Sequence, residues 1–235
     1  MKTIVLMLIL GVACGVAPAA ESIIIQRADG EVSVRHGVAE VWNKVAPGDV
    51  LRPNDTMRTG KGGNVVLLVQ WGTTATSKKM SLPPHVIVDM SDIRDLTQEE
   101  LMLKLTMEKV RGASYQWKND GMVIPDAAVV HGANNATAAP LSENDIQTGR
   151  LQLNGVRVLY ENGFFASCVL RAMEVFRLYP ALSSSFEHRL MLAEAMEKAN
   201  LRGEALAEYG AVSRLEGLTS GQQVQVQGRI QTLRK

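Results

Sequence analysis

Residues 47–90 constrain the fold of this chain more than any other stretch, because turn signals alternate there with short apolar runs. Pro47-Gly48-Asp49 and Arg58-Thr59-Gly60 are turn sequences, and residues 65–69 form a valine and leucine run of strand length. With the apolar and alternating segments that precede them, they make about seven short strands. This pattern predicts a compact, all-β roll or sandwich over residues 21–91.

Finer features of this β region follow from local patterns. Asp29-Gly30 predicts a hairpin turn, and residues 59–64 predict another, since the spacing of a phosphate-binding loop is absent and no helix follows. Residues 38–45 alternate in a way that is typical of a strand. The run at residues 65–69 predicts a strand buried on both faces.

The ordered turns and strands of residues 30–90 resemble the FecR domain. The matching positions are Gly30-x-Val32-x-Val34, Pro47-Gly48-x-x-Leu51, Asp55-x-x-x-Thr59-Gly60, residues 65–69 and Gly72-Thr73. Trp71 and Asn64 depart from the family pattern, which usually has Asp and a small residue there. The best-known members are envelope regulators that join a cytoplasmic anti-sigma segment and a membrane helix to this periplasmic domain. Without those two parts, the resemblance implies an exported β module that binds a partner, and argues against direct control of a sigma factor.

The N-terminus has the three parts of a secretory signal over residues 1–20. Lys2 is the positive part, residues 4–12 are the apolar part, and Ala17-Pro18-Ala19 supplies small residues for cleavage. The apolar run is shorter than the roughly 20 residues that span a bilayer. We therefore expect export to a bacterial periplasm and no membrane span after cleavage. An uncleaved anchor, or a lipoprotein with its lipid on Cys14, are the alternatives.

Cleavage after Ala19 leaves Cys168 as the single cysteine of the mature chain, so no internal disulfide is expected. Cys168 lies in an apolar helical pattern, which favours a buried small hydrophobic side chain over a reactive thiol.

An amphipathic helix is predicted over residues 92–112. Thr97 and Glu100 match a capping box, and Gly112 is a typical stop signal. The helix has only one polar stripe, so its broad apolar surface should be buried on the β module or on the C-terminal helices. Asp89, Asp92 and Asp95 recur at intervals of three near its start, but they lack the pattern of a calcium loop, so a surface and helix-entry role is predicted.

Residues 113–148 are predicted to form an extended segment and a flexible linker. Residues 122–130 could add one strand broken at Pro125, and residues 131–145 are rich in Ala, Asn, Gly and Ser.

Residues 149–235 predict a helical domain with a weak internal repeat. Leu192-Ala193-x-x-Met196, Asn200 and Ala205-x-x-x-Tyr209 resemble a tetratricopeptide repeat. An earlier copy lies at an offset of 37 residues, from Cys168 to Ala205 and from Gly163 to Asn200. The resemblance implies stacked helices with a partner-binding groove, which Glu187, Glu194 and Lys198 would face. A solvated helix face is the alternative for these three residues.

Composition excludes several functions. The net charge is +1, and no basic stripe indicates a nucleic-acid partner. The four histidines are scattered without metal-ligand spacing, and no nucleophile motif is present, so we expect no cofactor, no metal site and no catalysis. Trp42 and Trp71 are candidates for partner contact, with a core or edge role as the alternative.

Together these patterns predict a two-domain α+β protein: an all-β FecR-like roll or sandwich, a connecting helix, and tetratricopeptide-like helical repeats. The predicted function is an exported, non-catalytic envelope protein that binds or scaffolds an envelope protein or peptide. A ligand sensor of the envelope is the first alternative, and a cell-wall enzyme is the second.

Overall fold

The computed structural model describes residues 22–71, 76–116 and 142–235, without the side chains at 71, 76 and 113–116. Strands fill the N-terminal half of the described chain and helices the C-terminal half, which confirms the predicted α+β layout. The predicted signal at residues 1–20 and strand at 122–130 lie outside the described residues. No helix in the described ranges is both long and apolar enough to span a bilayer.

Eight strands build the N-terminal half. They are β1 (Ser22–Asp29), β2 (Val32–His36), β3 (Asn43–Lys44), β4 (Val50–Leu51), β5 (Asp55–Thr59), β6 (Asn64–Trp71), β7 (Thr76–Leu82) and β8 (Val86–Asp89). The strands form two antiparallel sheets, here called sheet A, in the order β4-β1-β6-β7, and sheet B, in the order β3-β2-β5-β8. Buried apolar residues from both sheets belong to one core, which is the arrangement of a β-sandwich.

Strand β6 is buried on one face rather than on two. Val65, Leu67 and Val69 are at most 1% exposed, whereas Val66 and Leu68 on the opposite face are half-buried. A continuous apolar run therefore predicted the strand correctly, but it did not show that sheet B covers only one side of it.

The two turns predicted as hairpins instead connect the two sheets. Asp29-Gly30 leads from β1 in sheet A to β2 in sheet B, and residues 59–64 lead from β5 in sheet B to β6 in sheet A. The turns touch each other, since the Gly60 N–H donates to the Glu31 carbonyl at 2.8 Å. A turn sequence fixes the local backbone, but which strands pair is decided by the packing of the sandwich.

The strand predicted over residues 38–45 is reduced to β3. Only Asn43 and Lys44 find partners, opposite Val34 and Ser33 of β2. Val38 and Val41 are exposed, because no strand lies opposite them to form a ladder.

The described residues that follow contain six α-helices and two short 3-10 segments. They are Met90–Asp92 (3-10), α1 (Gln98–Gln116), α2 (Glu143–Glu161), α3 (Phe165–Leu178), Pro180–Ser184 (3-10), α4 (Phe186–Lys198), α5 (Arg202–Val212) and α6 (Ser220–Arg234). Helix α1 continues past Gly112. Helix α2 begins inside the predicted linker, because Ser142 and Asp145 form a capping box there.

Helix α1 buries only one side, contrary to the prediction. Leu101 and Leu105 are buried, and α1 packs along α3. Four apolar side chains on its other sides are exposed by 44% or more: Met102, Leu103, Met107 and Val110. At its start, Glu100 N–H donates to the Thr97 hydroxyl, but the Glu100 carboxylate pairs with Arg94, so only half of the capping box forms.

The helical half contains two similar hairpins, α2–α3 and α4–α5. Gly163 and Asn200 occupy equivalent places between the helices, and both have a positive φ, of 82° and 61°. The same helix-ending bond follows each of them: Phe164 N–H to the Leu159 carbonyl at 3.0 Å, and Leu201 N–H to the Met196 carbonyl at 2.9 Å. This bond closes each helix, so the offset of 37 residues reflects a repeated structure.

The helices pack directly on sheet B. Gly155 of α2 lies so close to β8 that a Cβ at this position would be 2.0 Å from the Ile87 carbonyl oxygen. Arg171 of α3 pairs with Asp89, with Asp92 (2.8 Å) and with Glu174 (2.9 Å). Asp89 and Asp92 therefore bind an arginine of the helical half, which the predicted surface role did not include. Asp89 also begins the 3-10 segment, as the predicted helix-entry role requires, and Asp95 is exposed.

One continuous hydrophobic core joins the sandwich to the helices. Cys168 is fully buried in it, as expected, and burial raises the pKa of its thiol to about 12.

Candidate functional site

The outer face of sheet B forms the floor of a groove. Strand register aligns Lys44, Ser33, Arg58 and Ile87 in one row across β3, β2, β5 and β8. Paired residues of a sheet point to the same side, so these four side chains share the face that turns away from the sandwich core. Lys44 and Arg58 are exposed on it, and Ile87 is half-buried beneath α2.

Helix α2 forms one wall of the groove. Gly155 allows α2 to approach β8 without a side chain between them. The adjacent residue, Asn154, donates its side-chain amide to the His85 carbonyl at 2.8 Å, which fixes the loop before β8 to the helix. The preceding turns direct Gln147, Arg150 and Leu151 toward the same space.

The space between sheet B and α2 consists of two adjoining chambers, which we call the junction groove. The first, about 640 Å³, lies over the sheet and is lined by Ser33, Lys44, Arg58 and Lys61 among others. The second, about 540 Å³, lies between α2 and the start of α4 and includes Arg150 and His188. His85, Gln147 and Leu151 line both chambers, so the two adjoin each other.

The junction groove is lined by basic side chains. Its lining contains six: Lys44, Arg58, Lys61, His85, Arg150 and His188. The one acidic residue in the lining is Glu31. Lys44, Arg58, Lys61 and Arg150 form no ion pair with any described residue.

The helical half shows how this chain otherwise places its arginines. Five of them form ion pairs with carboxylates: Arg157, Arg171, Arg177, Arg189 and Arg229. The unpaired cations around the groove therefore differ from these five arginines. A concave surface that collects unpaired positive charges attracts anionic groups.

Trp42 holds one of these cations in place. The guanidinium carbons of Arg58 and Arg35 lie 4.5 Å and 5.3 Å from the centre of the Trp42 ring. Each contact is a cation–π interaction, which restricts the arginine without neutralising its charge. Trp42 is half-buried, so it acts mainly as a support for the groove arginines.

Two histidines lie along the groove. His85 has a φ of +62°, an uncommon backbone state for a residue with a side chain, at the point where the two chambers meet. Burial and the nearby Arg157 lower the pKa of His188. Its ring is therefore neutral at pH 7, and its buried Nδ1 atom has no hydrogen-bond partner among the described residues.

The three candidate residues on α4 connect the two helical hairpins outside the groove lining. Glu194 accepts a hydrogen bond from the Tyr160 hydroxyl at 2.9 Å, and Lys198 lies 5.2 Å from the centre of the Phe165 ring. Glu187 is 77% exposed and lies 3.8 Å from Arg157. The side chain of Trp71, the remaining candidate, lies outside the described residues.

The groove residues were not found from the sequence because they are far apart in it. Lys44, Arg58, Arg150 and His188 come from four different elements, and none belongs to a motif. The alternation of β5 could have shown that Arg58 points outward, since Met57 and Thr59 point inward. The contribution of α2 could not have been found without the packing at Gly155.

The arrangement suits the binding of an anionic group. Within residues 22–71, 76–116 and 142–235, no group of three or more His, Cys, Asp or Glu side chains could hold a metal ion. The unpaired cations of the groove offer hydrogen bonds and charge to an anionic ligand.

The chain matches no family model, no curated protein and no solved structure.

Proposed function

We propose that this chain is an exported, non-catalytic protein of the cell envelope, and that its junction groove binds a segment of a partner protein. The observation that carries the proposal is the set of unpaired cations around this groove between the sandwich and α2. An external anionic ligand would neutralise these clustered charges, as carboxylates do for Arg171 and Arg189.

Two sequence features support the envelope location. Residues 1–20 have the parts of a secretory signal, and residues 30–90 resemble the FecR domain, whose best-known members work in the envelope. The repeated helical hairpins support a role in protein contact, because stacked helix pairs of this kind leave surfaces that bind peptides.

Export is tested by cell fractionation and N-terminal sequencing of the mature chain. The proposal expects a periplasmic protein that begins at Ala20. A full-length chain recovered from the cytoplasm would contradict it, and lipid on Cys14 would identify the lipoprotein alternative.

Partner binding is tested by capture from envelope extracts with the mature chain. The groove variant carries Arg58→Gln and Arg150→Gln, and the matched control carries Arg52→Gln and Arg214→Gln, which are exposed and outside the groove lining. The wild type and the control should recover the same protein, and the groove variant should lose it. Equal recovery by all three, or turnover of a cell-wall substrate by the purified chain, would reject the proposal.

A further inference from the structure

We infer, on the basis of the proposed function, that the junction groove binds an extended acidic peptide segment whose carboxylates pair with Arg58 and Arg150. These two arginines are exposed, unpaired and located in different chambers of the groove. A ligand that meets both must pass His85, Gln147 and Leu151, where the chambers join.

The charges select an anionic ligand. An arginine guanidinium offers planar donors that match the two oxygens of a carboxylate, and Lys44 and Lys61 add charge without a fixed geometry. Glu31 is the single acid in the lining, against six basic residues. The groove therefore favours negative groups.

The shape and the apolar lining select a peptide. Two adjoining chambers of about 640 and 540 Å³ suit an elongated ligand better than a single small anion. Val45 and Leu151 provide apolar contacts in the first chamber. A chain in which carboxylates are interspersed with apolar side chains satisfies both features.

The aromatic residue of the site argues against a polysaccharide or a nucleic acid. Sugar rings and bases bind by stacking on open aromatic faces, and single-stranded nucleic acids use them repeatedly. Trp42 is half-buried and is already in contact with Arg35 and Arg58. It therefore does not offer the open platform that such ligands require.

His188 adds a neutral polar group to the second chamber. Its lowered pKa leaves the ring uncharged at pH 7, and its partnerless Nδ1 atom is buried in the wall beside Arg150. Ser184 and Ser185 line the same chamber, so a peptide backbone there would meet hydroxyl and imidazole groups. Polar groups of this kind suit the amides that flank an acidic side chain.

The test uses a fluorescein-labelled ten-residue peptide in which Glu alternates with Ala and Val, and a matched peptide with Gln in place of Glu. Fluorescence anisotropy with the mature chain should show binding of the Glu peptide that weakens as salt is added. The Arg58→Gln and Arg150→Gln double variant should bind it about tenfold more weakly or worse. The Arg52→Gln and Arg214→Gln control should stay within about twofold, since it loses the same charge outside the groove.

Several results would overturn the inference. They are equal binding of the Gln peptide, equal loss in both double variants, no binding at all, and stronger competition by dextran sulfate than by unlabelled Glu peptide. Thermal melts check that both variants fold, which is expected because all four arginines are exposed. If envelope capture depends on the groove while the Glu peptide does not bind, the inference fails and the proposed function stands. If the groove variant captures the partner as well as the wild type does, the proposed function itself fails.

Discussion

Replacing Gly155 with alanine should weaken the contact on which the junction groove depends. An added Cβ would lie 2.0 Å from the Ile87 carbonyl oxygen and 2.9 Å from Val88 Cγ2. Carbon atoms normally keep about 3.5 Å from such neighbours, so α2 must move roughly 1 Å or more away from β8. Neither neighbour can give way cheaply, because one is backbone and the other is part of the buried core.

The size of the effect follows from two opposing terms. Overpacking a tight contact costs about 1–3 kcal/mol, and we expect the upper end because the obstacle is backbone. Alanine in place of glycine inside a helix raises the free energy of unfolding by about 1 kcal/mol, because alanine has the higher helix propensity. The free energy of unfolding should therefore fall by about 1–2 kcal/mol, which lowers the Tm by roughly 2–8 °C for a chain of this size.

Gly228→Ala in α6 is the matched control. Nothing lies within 4 Å of a Cβ at that position, so only the helix term remains. Its free energy of unfolding should rise by about 0.5–1 kcal/mol. Circular dichroism melts of the mature chain measure both variants, and the shared core predicts a single transition in each. If Gly155→Ala stabilised the chain as much as Gly228→Ala does, the direct packing of α2 on β8 would be refuted.

Three further predictions concern α1, the buried thiol and the buried aspartate. Leu105→Ala should lower the free energy of unfolding by about 2–5 kcal/mol, because Leu105 is only 1% exposed. Leu103→Ala should change it by no more than about 0.5 kcal/mol, because Leu103 is 63% exposed. Urea unfolding compares the two variants, and equal losses would show that the outer side of α1 is covered. The Cys168 thiol, whose pKa burial raises to about 12, should resist iodoacetamide at pH 8 until urea unfolds the chain, and rapid alkylation of the folded protein would contradict its burial. Burial raises the pKa of Asp92 to about 6, above its ordinary value of 3.8, even beside Arg171. The folded state therefore binds this proton more tightly than the unfolded state, and the resulting stability is present below about pH 4 and is lost as the pH rises through 6. Asp92→Asn removes this contribution, so the variant should gain in stability relative to the wild type between pH 4 and 7 in thermal melts, and a constant difference would contradict the shift.

The sequence predicted local structure well where one residue type determines the backbone. Pro47-Gly48-Asp49 marked a real turn, and Gly163 and Asn200 marked the ends of two similar helices. The sequence did not predict strand pairing, because pairing depends on residues that are distant along the chain. Asp29-Gly30 has the chemistry of a hairpin turn, yet the strands on either side of it belong to different sheets.

The candidate site was harder to predict than the fold, for a related reason. A groove needs two elements to approach each other, and the approach here depends on the missing side chain of Gly155, which has no local signature. The pattern of charges in the sequence did not show which arginines are free to bind a ligand. Arg171 and Arg150 both lie in helical sequence, but Arg171 is ion-paired in the fold and Arg150 is not. Trp42, which the sequence offered as a candidate for partner contact, lies against the guanidinium of Arg58 and supports it.

A photocrosslinker placed at residue 147 tests the central claim most directly. Gln147 is exposed and lines both chambers of the junction groove, and Gln225 on α6 is an exposed control position outside its lining. Irradiation of the chain in envelope preparations should join a partner protein to benzoylphenylalanine at residue 147, and the adduct should disappear in the Arg58→Gln and Arg150→Gln variant. Equal adducts from both positions, or an adduct at 147 that survives the loss of both arginines, would contradict the assignment of the groove as the binding site.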